Sequence, residues 1–119
     1  MANSFSLSFA LPPSLNNAFP TVNGRRIVSR EYKAWKALAA KSVAEQIAQL
    51  PRSPNVGKHY SLHYRFNVNH KSDVCNREKA ATDLLVAMKI IPDDCWCDRV
   101  VIERDRSIEG AHVLVEAKI

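Results

Sequence analysis

The chain has 119 residues, 46% of them hydrophobic and 24% charged, with three glycines and six prolines. That composition excludes a disordered tail or low-complexity linker and leaves a chain able to bury about two thirds of its unfolded surface as one domain, residues 1–119. Seventeen Lys and Arg against twelve Asp and Glu leave +5, which favours a polyanionic partner, and no apolar run approaches the roughly 18 residues of a membrane span.

SFSLSFALPPS opens with Phe5, Leu7, Phe9 and Leu11 alternating before Pro12 and Pro13, and reads as a half-buried strand. LNNAFPTVNGRRIVS reads as a loop with a turn at Asn23-Gly24 and a short strand or hairpin arm at Arg25 to Val28. Ser29 is an N-cap candidate with Glu31 in the first turn. Trp35, Ala39, Val43, Ile47 and Leu50 then recur at helical spacing up to Pro51. After a Pro- and Gly-bearing loop, HYSLHYRFNV alternates with Tyr60, Leu62, Tyr64, Phe66 and Val68 on one face, the pattern of a strand.

Asp73 stands just past that strand, a helix is expected over Asn76 to Met88, and CDRVVIERD and AHVLVEAKI read as closing strands on either side of Glu109-Gly110. The expected order is β-(β)-α-β-α-β-β, an α+β fold in which two helices pack on a small mixed sheet. Three cysteines, Cys75, Cys95 and Cys97, are an odd number. No charged stretch followed by an apolar one opens the sequence, so a reducing, cytoplasmic setting is expected.

The acids cluster between residues 73 and 98, whereas the basic residues are spread along the rest. On the helix over 76–88, Asn76, Lys79 and Asp83 share one stripe, while Ala81, Leu84, Leu85 and Met88 form the core stripe. Taken alone, Lys79 and Asp83 are a solvated ion pair worth a few tenths of a kcal/mol. Asp73 at one end of this unit and Asp93-Asp94 beyond the other make a second reading available. Carboxylates brought together repel, and either one is held protonated or a divalent cation sits between them. Mg²⁺ needs one or two protein carboxylates besides water and phosphate oxygens, so Asp73 and Asp94 suffice as an anchor, with Lys79 placed to neutralise a phosphate.

Asp73, Asn76, Lys79, Asp83 and Asp93-Asp94, preceded by LPPSLNN, GRRIVS and Tyr32, resemble the pattern of the RusA family of Holliday-junction resolvases over nearly the whole chain. The resemblance implies a homodimer that binds four-way DNA junctions and nicks them with Mg²⁺ or Mn²⁺, of a kind often encoded by bacterial phages and prophages. It implies metal-binding roles for Asp73 and Asp94 and a functional role for Lys79, with Asn76, Asp83 and Asp93 at motif positions. Cys75 departs from the pattern, standing where the family has its second metal aspartate, and a thiol is a soft ligand ill suited to a hard cation. Three readings follow: a variant in which Asp93, Asp83 or water completes the metal shell; a structure-selective junction binder with weak or no cleavage; or a chain altered to stop cleavage.

Cys75, Cys95, Cys97 and His70 can also be written as a zinc set, but the spacing lacks a C-x₂₋₄-C knuckle. His59 and His63 read as rim residues of their strand. Trp96 has base stacking, interface packing and core packing open to it, core packing being the commoner fate. Arg25, Arg26, Arg30 and Lys33 cluster at the hairpin arm and helix start, and Lys71 flanks the acids; phosphate contact and plain solubility both account for them.

Overall fold

The computed structural model describes residues 3–52, 54, 56–69 and 74–118. Its elements are β1 (Asn3–Phe9), α1 (Leu15–Ala18), β2 (Thr21–Val22), β3 (Arg25–Arg26), α2 (Arg30–Ala48), β4 (Tyr60–Phe66), α3 (Glu78–Ala87), β5 (Cys97–Arg104) and β6 (Ala111–Ala117). Two 3-10 turns, Val74–Arg77 and Asp94–Trp96, precede α3 and β5 respectively. The fold is α+β, and its order is the expected one with a one-turn helix and a two-stranded hairpin in place of the bracketed small strand.

The main sheet runs β1-β6-β4-β5, with β4 and β5 parallel and the other pairs antiparallel. The two closing strands are therefore not neighbours, because β4 lies between them. The connection between them passes over the end of β4, where Asp105 N donates to Phe66 O at 3.0 Å and Asn67 N donates to Gly110 O at 2.9 Å. Gly110 makes this passage possible. Its φ is +66°, and a Cβ there would stand 2.6 Å from the Phe9 carbonyl oxygen.

Alternation in the sequence becomes a one-sided core. Phe5, Leu7 and Phe9 of β1, Tyr60, Leu62, Tyr64 and Phe66 of β4, and Ala111, Val113, Val115 and Ala117 of β6 are all buried. Each large apolar side chain so buried contributes roughly 1.5–3 kcal/mol of transfer free energy. The opposite face carries Ser4, Ser6, Ser8, Ser61, His63, Arg65, His112 and Glu116, all exposed or half-buried.

α2 covers the buried face with Tyr32, Trp35, Ala39 and Val43. Its start is the expected one, with Ser29 Oγ accepting from Tyr32 N at 3.0 Å. Trp35 Nε1 donates to Ala10 O at 2.8 Å, and the Gln46 amide holds both Ser8 N and Ser8 O of the edge strand β1. The loop expected around residues 15–18 is instead a turn of helix, begun by Ser14, whose Oγ accepts from Asn17 N and whose carbonyl accepts from Ala18 N. Serine before a polar pair is an N-cap signal masked in the sequence by the surrounding turn formers.

No described helix is long and apolar enough to cross a membrane.

Candidate functional site

α3 carries the central residues. Ala80, Ala81, Thr82, Leu84 and Leu85 are buried against the sheet, leaving Lys79 exposed and Asp83 half-buried. The expected polar stripe is thus present for Lys79 and Asp83. The helix runs over Glu78–Ala87 rather than from Asn76 to Met88: Met88 is its C-cap, and Cys75 and Asn76 lie in the tighter 3-10 turn ahead of it. Cys75 is exposed and Asn76 half-buried. Arg77 reaches back to the proline pair, its Nη1 donating to Pro12 O at 2.8 Å.

At its far end α3 closes in a Schellman arrangement. Lys89 takes a left-handed φ of +60°, Lys89 N donates to Val86 O, and Ile90 N donates to Leu85 O, both at 3.0 Å. Ile90 and Ile91 then bury themselves, which turns the chain back and delivers Pro92-Asp93-Asp94 to the surface. The Tyr60 hydroxyl, on a buried ring of β4, donates to Asp93 O at 3.2 Å and ties this turn to the sheet. Asp93 caps the turn, its Oδ1 accepting from Cys95 N at 3.4 Å.

The electrostatics bring these pieces together. The Asp93 and Asp94 carboxyl groups share a hydrogen bond, which holds Asp93 below the usual carboxylate range, helped by Cys95 N, and raises Asp94. Burial and the Asp93 charge push Asp94 up further, the nearby Lys79 ammonium pulls it down, and Asp83 raises it again. Asp93, Lys79 and Asp83 therefore all act on Asp94, although they come from α3 and from the turn beyond it. Lys79 Nζ itself donates to Asp83 Oδ1 at 3.2 Å, so the solvated ion pair read from the spacing is also present.

Asp73, Lys71 and His70 lie outside the described residues. Among the described residues no group of three or more His, Cys, Asp or Glu is arranged to hold a metal ion. What remains is a pair of exposed, adjoining hard-oxygen donors, a donor chemistry that suits Mg²⁺ or Mn²⁺. The cysteines show no disulfide, and Cys97 donates its thiol to Arg99 O at 3.4 Å.

The basic residues of the hairpin arm, Arg25, Arg26, Arg30 and Lys33, are exposed, and no carboxylate among the described residues ion-pairs with them. Arg26 lines a cavity together with Phe19, Lys79 and Asp83, which places the arm beside α3. Trp96 is half-buried on its own chain, edge-on to His59 at 5.4 Å, with Lys58 Nζ 3.8 Å from its ring centre. His59 and His63 are rim residues as expected, paired with Asp98 and Glu103.

Two features were not read from the sequence. The first is a polar chain inside the core, in which the Tyr64 hydroxyl meets Thr82 Oγ1 at 2.8 Å and Thr82 Oγ1 donates to Glu78 Oε2 at 2.6 Å. A threonine on the helical face otherwise occupied by Ala and Leu was its one available signal. The second is Phe19 at the cavity wall, which sits between turn formers and shows no periodicity.

The pattern of the endodeoxyribonuclease RusA family matches residues 10–118. No curated protein matches the chain.

Proposed function

The chain belongs to the RusA family of endodeoxyribonucleases, and from that membership we propose that it binds four-way DNA junctions and nicks their phosphodiester bonds with the help of Mg²⁺ or Mn²⁺. The observation that carries this reading is the adjoining pair Asp93 and Asp94 at the turn beyond α3, with Lys79 and Asp83, ion-paired along that helix, both acting on Asp94.

Asp94, with Asp73, is the anchor for the cation, and Asp93 is its adjoining donor. When bound, the cation supplies Lewis-acid polarisation of the scissile phosphodiester. Asp93 and Asp94 would present their adjoining carboxylate oxygens to the cation. Lys79 binds a non-bridging phosphate oxygen and offsets charge that builds there in the transition state. Arg25, Arg26 and Arg30, with Lys71, contact flanking phosphates and set register without reading bases. Two opposed strands must be cut, and one site per chain cannot reach both, so the acting species is a homodimer. A cytoplasmic bacterial, phage or prophage setting goes with this reading.

Cys75 favours a second reading, junction binding with weak or no cleavage, because its thiol stands where the family pattern has a carboxylate. Asp94→Asn is the test of the first. Nicking of a four-way junction that needs Mg²⁺ and disappears in this variant, with junction binding retained, supports the assignment; unchanged nicking removes Asp94 from the site.

A further inference from the structure

We infer that the cavity between the hairpin arm and α3 is a seat for one unstacked nucleotide from the strand-exchange point of the junction, with Phe19 as its stacking platform. The inference rests on the junction-nicking reading above and goes beyond it in naming what occupies this cavity.

The cavity has a volume of about 370 Å³ and is lined by Phe19, Arg26, Lys79 and Asp83. That is within the range of small-molecule sites, roughly 300–1,000 Å³. Its walls combine one flat apolar ring, two cations and one carboxylate. A base matches the ring and a phosphate matches the cations, so the chemical class that satisfies all of them together is a nucleotide. The platform is held in place. Phe19 rests on Tyr32 with ring centres 4.9 Å apart, and Arg26 Nη1 donates to the Phe19 carbonyl at 2.8 Å, which fixes the guanidinium beside the ring. Arg26 has no carboxylate partner among the described residues, so its remaining donors are available to a phosphate.

Position supports the same conclusion. Lys79 and Asp83 line the cavity and belong to α3, the helix against which the Asp94–Trp96 turn packs, so a nucleotide seated here lies along the element that leads to the acid pair. A base within a continuous duplex is stacked on both sides and does not reach Phe19. At a strand-exchange point stacking is already interrupted, and withdrawing a base costs least there. Seating a nucleotide in this cavity therefore selects branched over linear DNA and positions the adjoining phosphodiester.

The test uses the full chain in EDTA with a four-way junction carrying 2-aminopurine at each strand-exchange nucleotide in turn, a base whose fluorescence rises when it leaves the stack. The wild-type chain is expected to raise the signal at one of these positions. Phe19→Leu, which keeps apolar volume against Tyr32 but removes the flat ring, is expected to abolish most of that rise. It should also weaken junction binding by roughly fivefold or more, the lower range for loss of one stacked base, with binding to a linear duplex of the same arms unchanged. Arg26→Gln, an exposed substitution with no core contact to lose, is expected to reduce the rise in the same way. A rise that survives both substitutions at wild-type size overturns the seat alone. A wild-type chain that binds the junction no more tightly than the linear duplex overturns the seat and the junction reading together.

Discussion

Lys79 Nζ lies 3.2 Å from Asp83 Oδ1 one turn along α3, and both groups act on the Asp94 carboxyl from across the turn that ends the helix. The pair thus serves as a structural ion pair and as the link between α3 and the acid pair. As an exposed i,i+4 pair it adds only about 0.3–0.5 kcal/mol to stability. Asp83→Asn should therefore melt within a degree or two of wild type while binding junction DNA more tightly, because the lysine is no longer neutralised. Lys79→Met should reduce the slope of log K against log salt by about 0.9 and slow nicking by roughly 10²–10³-fold. Binding isotherms at several salt concentrations, together with single-turnover cleavage, check both.

Cys75→Asp separates the two readings of the site. If Asp73, Asp93 and Asp94 already hold the cation, restoring a carboxylate at position 75 should change the nicking rate by less than about tenfold, or 1.4 kcal/mol in barrier. A much larger gain, measured on the same junction with binding unchanged, replaces the endonuclease reading with that of a junction binder.

Thr82 is the middle of a buried polar chain, and Tyr64 depends on it. Tyr64 is held well above the ordinary tyrosine range by burial, partly offset by the Thr82 hydrogen bond. Thr82→Val should cost about 1–3 kcal/mol, because it strands the tyrosine hydroxyl in the core. Adding Tyr64→Phe should recover much of that loss. A denaturant double-mutant cycle measures the coupling; additive effects would rule out the chain as a unit.

Left-handed backbone gives predictions of opposite sign. Lys89 occupies the C′ position of α3 with φ +60°, a conformation glycine adopts without strain, so Lys89→Gly should stabilise by about 0.5–1 kcal/mol. Gly110→Ala has φ +66° and a Cβ only 2.6 Å from a backbone oxygen, and should destabilise by more than the roughly 1–3 kcal/mol of the dihedral alone. At Gly24 a Cβ meets nothing within 4 Å, so Gly24→Ala should show the dihedral cost without the clash. Urea midpoints of the three variants order these effects.

His112, on the open sheet face, is lowered from the ordinary histidine value by burial first and by Arg65 and His63 next, with Asp105 opposing. The folded state prefers the neutral ring, so the unfolded chain binds the proton first as pH falls below about 6.5. This contribution to stability is complete above that pH and is lost on the way down toward the folded-state value. His112→Gln should flatten the fall in melting temperature between about pH 7 and pH 5; an equal slope in both proteins would refute it.

Alternation made β1 and β4 legible before any coordinates, since period-two burial leaves every second position apolar, and Ser29 marked the start of α2. The stripe of Lys79 and Asp83 was legible for the same reason at helical period. What sequence periodicity does not encode is which strands pair over long distances, so the separation of β5 from β6 by β4 was invisible. So was the route by which Ile90 and Ile91, by burying themselves, turn Asp93 and Asp94 outward. Phe19 acquires meaning only from the Arg26 and Lys79 brought to it by two other elements.

Among the described residues, β6 is the only hydrogen-bonded neighbour of β1 in the sheet and one of two neighbours of β4. Residues 3–9 therefore wait for residues 111–117 before they gain a strand partner, a closure spanning nearly the full length of the chain. Pairing over so long a sequence separation raises the contact order and slows folding for a chain of this size. A fragment ending before residue 111 retains the β4–β5 ladder alone and leaves Phe5, Leu7 and Phe9 with no sheet to join.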